Sequence, residues 1–82
     1  MSKALNVLGF AVSETPCLRI PKIYGAKSLA LVKKMGLLNQ EFGVQREQGY
    51  LYVPLAREPT AAEMNELKRD LPEFEICTRQ FF

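Results

Sequence analysis

Two stretches with a helical period, each marked by its own start or stop signal, alternate with four short extended stretches, and no repeat or linker breaks the series. Residues 17–21, Cys-Leu-Arg-Ile-Pro, alternate in character: Leu18 and Ile20 share one face, Cys17 and Arg19 the other. Pro16 and Pro21 bracket this strand, as suits a residue with no N–H to give to a ladder. The spacing then predicts a helix from Ile23 to Met35. Ser28, Leu31, Val32 and Met35 form its buried stripe, with Lys27, Lys33 and Lys34 on the outer side. Gly36 followed by Leu37 is a helix stop, and Asn39-Gln40-Glu41 a connecting loop. Phe42 to Arg46 is read as a weak edge strand with Phe42 and Val44 inward. Glu47-Gln48-Gly49 turns it into the clearest strand of the chain, Tyr50 to Leu55, making a hairpin. There Leu51, Val53 and Leu55 point one way, and Tyr50, Tyr52 and Pro54 the other. Thr60-Ala61-Ala62-Glu63 is a capping box that opens a second helix running to about Leu71, with Met64, Leu67 and Leu71 as its stripe and Pro72 behind its end. A last strand from Glu73 to Gln80 is expected to turn Phe74, Ile76 and Thr78 inward and Glu75, Cys77 and Arg79 outward.

With right-handed crossovers, the order βαββαβ leads to an α+β, ferredoxin-like two-layer sandwich: a four-stranded antiparallel sheet, spatial order 4-1-3-2, with two helices on one face. The chain has 82 residues, 48% apolar and 24% charged, so one small domain with a modest core is expected. Residues 1–15 stand apart from residues 16–82 as an apolar N-terminal arm or extra strand. Residues 4–12, Ala-Leu-Asn-Val-Leu-Gly-Phe-Ala-Val, faintly imitate a secretory signal but are too short for one.

Composition removes several functions. The chain contains no His, so it has no imidazole for a catalytic dyad or zinc ligation, and its two Cys cannot make a four-thiolate site. No run of about 20 apolar residues and no phosphate-cradling glycine motif is present. The expectation is a binding module without catalytic residues, metal or cofactor of its own, and without a membrane partner. The net charge of +2 tilts only slightly toward an anionic partner.

Two surfaces are candidates. One is the sheet face away from the helices, carrying Cys17, Arg19, Tyr50, Tyr52, Cys77 and Arg79. Arg19 and the two tyrosines lie near its centre, an arrangement able to stack unpaired bases and pair with phosphate. The arm, through Leu5, Val7 and Phe10, is the alternative occupant of this face. The other surface is the loop and helix start at Pro21, Lys22, Ile23, Tyr24, Gly25 and Lys27, where free backbone N–H groups and two lysines suit a phosphate and Gly25 allows another backbone close. Cys17 and Cys77 share a face of neighbouring strands. Two half-buried free thiols in a reducing compartment are expected, a disulfide being the alternative, and no base stands ready to activate either.

Pro16-Cys17-Leu18-Arg19-Ile20-Pro21-Lys22, Tyr24-Gly25, Gly36-Leu37-Leu38-Asn39 and Gly49-Tyr50-Leu51-Tyr52-Val53-Pro54-Leu55, in this order and spacing, resemble the small N-terminal domain of archaeal tRNA guanine-N1 methyltransferases, which modify the guanine 3′ of the anticodon. The resemblance covers about residues 16–78; residues 1–15 have no counterpart in it. It implies a cytoplasmic parent enzyme whose large C-terminal Rossmann-type domain, beyond this sequence, binds S-adenosylmethionine and transfers the methyl group. The small domain, linked to that catalytic domain, touches the outer corner, or elbow, of the L-shaped tRNA and checks that the tRNA is folded. On this resemblance Lys22, Tyr24, Gly25 and Lys27 are the leading tRNA contacts, followed by Arg19, Tyr50 and Tyr52. The apolar ending Gln80-Phe81-Phe82 is read as a cut boundary. The rival reading is a protein-interaction or dimerisation module of the same fold, pairing through an edge strand or the open sheet face. A small-ligand regulatory domain ranks behind both, since no convergent polar pocket is evident.

Overall fold

The computed structural model describes residues 14–81. Strand β1 (Thr15–Pro21) leads through a 3-10 turn (Lys22–Tyr24) into helix α1 (Gly25–Lys34). Strands β2 (Gln45–Glu47) and β3 (Tyr50–Pro54) form a hairpin, helix α2 (Ala61–Asp70) follows, and β4 (Glu75–Arg79) closes the fold. The sheet order is β2-β3-β1-β4 with every pair antiparallel, which is the expected sandwich topology. In the central pair Leu18 lies opposite Val53 and Arg19 opposite Tyr52, while β4 places Ile76 beside Leu18 and Glu75 beside Arg19.

The period-2 pattern therefore sorts side chains as read from the sequence. Leu18, Ile20, Leu51 and Val53 turn to the helices and are buried with Leu31 and Val32 of α1 and Leu67 of α2, and Leu37, Leu55 and Leu71 complete the core. Phe74, Ile76, Met35 and Met64 pack half-buried at its margin. The helix ends follow the local sequence signals. Gly36, at φ +71°, ends α1 in a Schellman motif: the Gly36 N–H donates to the Lys33 carbonyl and the Leu37 N–H to the Val32 carbonyl, both at 3.0 Å. At the start of α2 the Thr60 hydroxyl accepts from the Glu63 N–H at 3.2 Å and the Glu63 carboxylate accepts from the Thr60 N–H at 2.8 Å, so both halves of the capping box are made. Arg57 grips the same carboxylate with two bonds of 2.7 and 2.9 Å. Its hydrogen bonds, first among the causes, hold Glu63 at about 2, below the ordinary carboxylate value.

Several boundaries differ from expectation for identifiable reasons. The strand read as 17–21 begins at Thr15, with Pro16 inside it rather than before it. Its carbonyl accepts from the Leu55 N–H at 2.8 Å, and its missing N–H faces the same residue, just past the end of the neighbouring strand at Pro54, where no ladder bond is lost. The helix read from Ile23 begins at Gly25: the Lys22 N–H stays in the sheet, donating to the Gly49 carbonyl at 2.9 Å, and the chain can only leave through a tight turn. The strand read as 42–46 is Gln45–Glu47. Leu37–Asn39 occupy the hydrogen-bonding edge beside Pro54–Ala56 instead, through Asn39 N–H to Pro54 at 2.9 Å and Ala56 N–H to Leu37 at 2.7 Å. Residues 42–44 are thus outside the ladder; Val44 still packs on the core, but Phe42 meets Phe81, ring centroids 5.9 Å apart. β3 ends at Pro54, leaving Leu55 in an isolated bridge with Leu38. The last strand is Glu75–Arg79, and Thr78 is exposed, its hydroxyl donating to Glu14 at 3.1 Å, because the cover of the helices ends at Ile76. The hairpin turn uses Gln48 as well as Gly49 at positive φ, +51° and +85°, as a two-residue type I′ turn requires. The expected arm at residues 1–15 lies almost wholly outside the described residues; Thr15 belongs to β1.

Candidate functional site

The sheet face away from the helices carries the side chains predicted for it, and they are occupied with one another. The Arg19 guanidinium lies 3.7 Å from the centre of the Tyr50 ring, donates to the Tyr52 hydroxyl at 3.2 Å and reaches Glu75 at 3.1 Å. The Arg79 guanidinium lies 4.0 Å from the centre of the Tyr52 ring, donates to Gln45 at 2.7 Å and pairs with Glu47 at 2.8 Å. Each arginine is held more firmly protonated than usual, Arg19 first by its bond to Tyr52 and Arg79 first by its bond to Glu47.

The contacts of Arg79 also reveal how this face is closed. β4 and β2 are the opposite edges of the sheet, so side chains of one reach the other only by crossing a face. Arg79 does so over Tyr52, the Gln45 amide donates to the Gln80 carbonyl at 3.3 Å, and Phe81 packs against Phe42. The segment after β4 therefore runs across this face. Beneath that end Cys17 and Pro54 are fully buried, and Phe81 is itself buried. Leu5, Val7 and Phe10, the expected cover, lie outside the described residues.

The start of α1 is the opposite case. Lys22 and Lys27 are exposed, and neither makes an ion pair among the described residues. Between them Ile23 is 82% exposed on the 3-10 turn, the one exposed large hydrophobic side chain among the described residues. No side chain caps the helix, and no acidic residue sits in its first turn. Tyr24 and Gly25 are placed differently from the lysines. Tyr24 is half-buried, with its ring on the core. Gly25 is buried because a Cβ there would stand 2.9 Å from the Leu51 side chain, so its lack of a side chain seats α1 on β3. Ser28 is fully buried with its hydroxyl donating to the Gly25 carbonyl at 2.9 Å, so the one buried hydroxyl of the helix is satisfied. A largely apolar depression of about 290 Å³ is lined by Ala26, Leu29 and Val44, with Lys22 and Arg46 also on its wall. Cations that are not neutralised locally, beside an exposed apolar tip, suit a polyanion with a flat apolar surface.

The reading of the residues placed Ile23 on this surface without counting it among the contacts, and it passed over the carboxylates that engage Arg19 and Arg79. The sequence did carry one unused signal: between Glu14 and Glu41 there is no acidic residue, and that stretch holds five of the eleven basic side chains. Among the described residues no group of three His, Cys, Asp or Glu is placed to hold a metal ion, and no helix is long and apolar enough to cross a membrane.

The two-layer sandwich, its self-paired sheet face and a helix start whose lysines have no described carboxylate partner make up a small α+β domain with one open cationic surface. The chain belongs to the tRNA methyltransferase 5 N-terminal domain family, whose profile matches residues 17–63, from β1 into the first turn of α2. It is similar to Methanocaldococcus jannaschii Trm5 solved with adenosine, at 28% identity and a TM-score of 0.67 over 80% of this chain and 20% of that one. A second structure, of the M. jannaschii tRNA m1G37 methyltransferase, matches with the same identity, TM-score and coverage. A complex of aTrm5 with tRNALeu matches at 32% identity and a TM-score of 0.58, over 72% of this chain and 17% of that one. The chain thus spans about a fifth of the length of the solved relatives it matches. No curated protein matches it.

Proposed function

We propose that residues 16–82 are the tRNA-contacting module of a tRNA guanine-N1 methyltransferase, and that residues 1–15 lie outside that module. In this reading the domain has no catalytic residue; a separate catalytic domain binds S-adenosylmethionine and transfers the methyl group in the cytoplasm. The module meets the elbow of the L-shaped tRNA, so that methylation follows only on an intact fold. The observation that carries the reading is the helix start, where exposed Ile23 stands between Lys22 and Lys27 and neither lysine is neutralised by a described carboxylate. An aliphatic tip fits the flat outer face of a terminal base pair, and the lysines fit the adjoining phosphates. Lys22, Ile23 and Lys27 are accordingly the contacts, with Tyr24 and Gly25 supporting the loop from below. The likeness to a structure that contains tRNALeu supports the same partner.

Arg19, Tyr50 and Tyr52 take the lesser part. Their guanidinium and ring faces are already engaged, and an incoming phosphate would have to displace Glu75 from Arg19. The test is a residue-by-residue NMR titration with a folded tRNA transcript and with an isolated anticodon stem-loop. Shifts centred on residues 22–27, with folded tRNA bound several-fold more tightly, are expected. Equal affinity for the two RNAs overturns the elbow reading, and shifts centred on Arg19, Tyr50 and Tyr52 overturn the choice of surface.

A further inference from the structure

Cys17 and Cys77 are directly opposed in the antiparallel β1–β4 pair, and their sulfur atoms are 3.0 Å apart as free thiols. Directly opposed residues in such a pair have Cα atoms about 4.5–5.5 Å apart, inside the range that a disulfide spans. Closing the sulfurs to a bond of about 2.05 Å therefore asks for a side-chain adjustment of about 1 Å and no change of register. The two thiols are also unequal. Cys17 is fully buried, whereas Cys77 is half-exposed on the edge strand. The tRNA-contacting role uses neither of them.

We propose that Cys17 and Cys77 form a dithiol–disulfide couple that a low-molecular-weight disulfide such as oxidised glutathione closes, with Cys77 as the entry thiol and Cys17 as the resolving thiol. Cys77 gives its proton to solvent and its thiolate attacks oxidised glutathione; the glutathione S–S bond breaks, one glutathione leaves as thiol and Cys77 carries the mixed disulfide. Cys17 then loses its proton and attacks the Cys77 sulfur. The second glutathione leaves, and the Cys17–Cys77 bond forms. The protein loses two electrons and two protons, and both go to the oxidant, which ends as two thiols. Burial, with the adjacent Cys77 sulfur, pushes the Cys17 thiol up to about 12. That keeps Cys17 inert toward external oxidants, while a mixed disulfide on the adjacent sulfur is within its reach. The closed bond ties edge strand β4 to central strand β1 beneath the segment that crosses the sheet face.

The test equilibrates the 82-residue chain with glutathione buffers of stepped redox ratio, traps free thiols with acid and a maleimide, and reads intact mass. The expected product is a single monomeric species lighter by two hydrogens, in which trypsin leaves the fragments ending at Arg19 and Arg79 joined. Alkylation of native reduced protein is expected to be at least ~10-fold faster at Cys77 than at Cys17. Cys17→Ser should stop at a stable glutathione adduct on Cys77, and Cys77→Ser should stay unmodified. Circular dichroism checks that each variant is folded, and the wild-type result stands without them. Two free thiols at every ratio, a persistent glutathione adduct on the wild-type chain, or a bond between two chains overturns the couple. Faster labelling of Cys17 overturns the assigned order.

Discussion

Replacing Lys22 by Gln tests the choice of surface most directly, because the structure predicts a change in salt dependence and no change in fold. Lys22 is exposed and makes no ion pair among the described residues, so its removal is expected to alter stability by less than ~0.5 kcal/mol. If its ammonium neutralises one phosphate, the variant loses about 0.7–0.9 from the slope of log affinity against log salt. Between about 50 and 200 mM salt, a fourfold step, that slope amounts to roughly a threefold factor. The wild-type advantage over Lys22→Gln should thus shrink about threefold across the range. Arg19→Gln is the matched control. Its charge is already paired with Glu75 at 3.1 Å, so it should release no counterion on binding and leave the slope unchanged. Fluorescence anisotropy of labelled, folded tRNA at four or five salt concentrations measures both slopes. A slope that flattens for Arg19→Gln and not for Lys22→Gln refutes the reasoning and moves the RNA to the sheet face.

Three further perturbations check the scaffold. Gly36→Ala should cost about 1–2 kcal/mol, since its φ of +71° sits where a Cβ is penalised and no neighbouring atom offers compensating contact; urea unfolding at constant m-value reads this. Phe81→Ala should cost ~2–3 kcal/mol, at or below the lower end for a buried aromatic, and raise the exposure of Cys17, seen as faster alkylation of that thiol; an unchanged rate means that the segment after β4 does not close the face. Thr60→Ala should cost about 1 kcal/mol by removing half the capping box. Glu63 adds a pH dependence: its folded value of about 2 lies below the ordinary 4.5, so its contribution is complete above about pH 5 and is lost as pH falls toward 2. Glu63→Gln should flatten the stability profile in that window and leave the neutral-to-alkaline limb unchanged.

What was legible in the sequence was whatever depends on local chemistry. The helix stripes, the Gly36 stop, the Thr60–Glu63 box and the alternation of Leu18, Ile20, Leu51 and Val53 each report a conformational preference or a face within a few residues, and the βαββαβ order then left few topologies. The errors lie where distant segments compete for one partner. Phe42 and Val44 alternate well enough for a strand, but Leu37–Asn39 hold the edge they would need. Thr78 has the parity of an inward residue, but the helices do not extend over it. The candidate site divides in the same way. Lys22 and Lys27 were legible as exposed cations ahead of and inside a helix start. That Gly25 is buried against Leu51, and that Tyr24 lies on the core, depends on how α1 meets β3, which no local pattern encodes.

On the sheet face, residue type alone does not show whether a side chain is free to meet a partner. Two tyrosines and two arginines on the central and edge strands have the composition of a base-stacking platform, yet all four are already engaged with one another or with carboxylates. Cation–π contacts of this kind contribute roughly 0.5–2 kcal/mol each, and an RNA base would have to displace a guanidinium before it could stack. Of the five arginines, four pair with carboxylates: Arg19, Arg57, Arg69 and Arg79. The lysines of the helix start and of the end of α1 have no described carboxylate partner, and the stretch that bears them contains no acid of its own. A net charge of +2 therefore does not describe a nearly neutral molecule with a weak field everywhere. It is the sum of a compensated sheet and an uncompensated helix, and it is the second that a polyanion will find first.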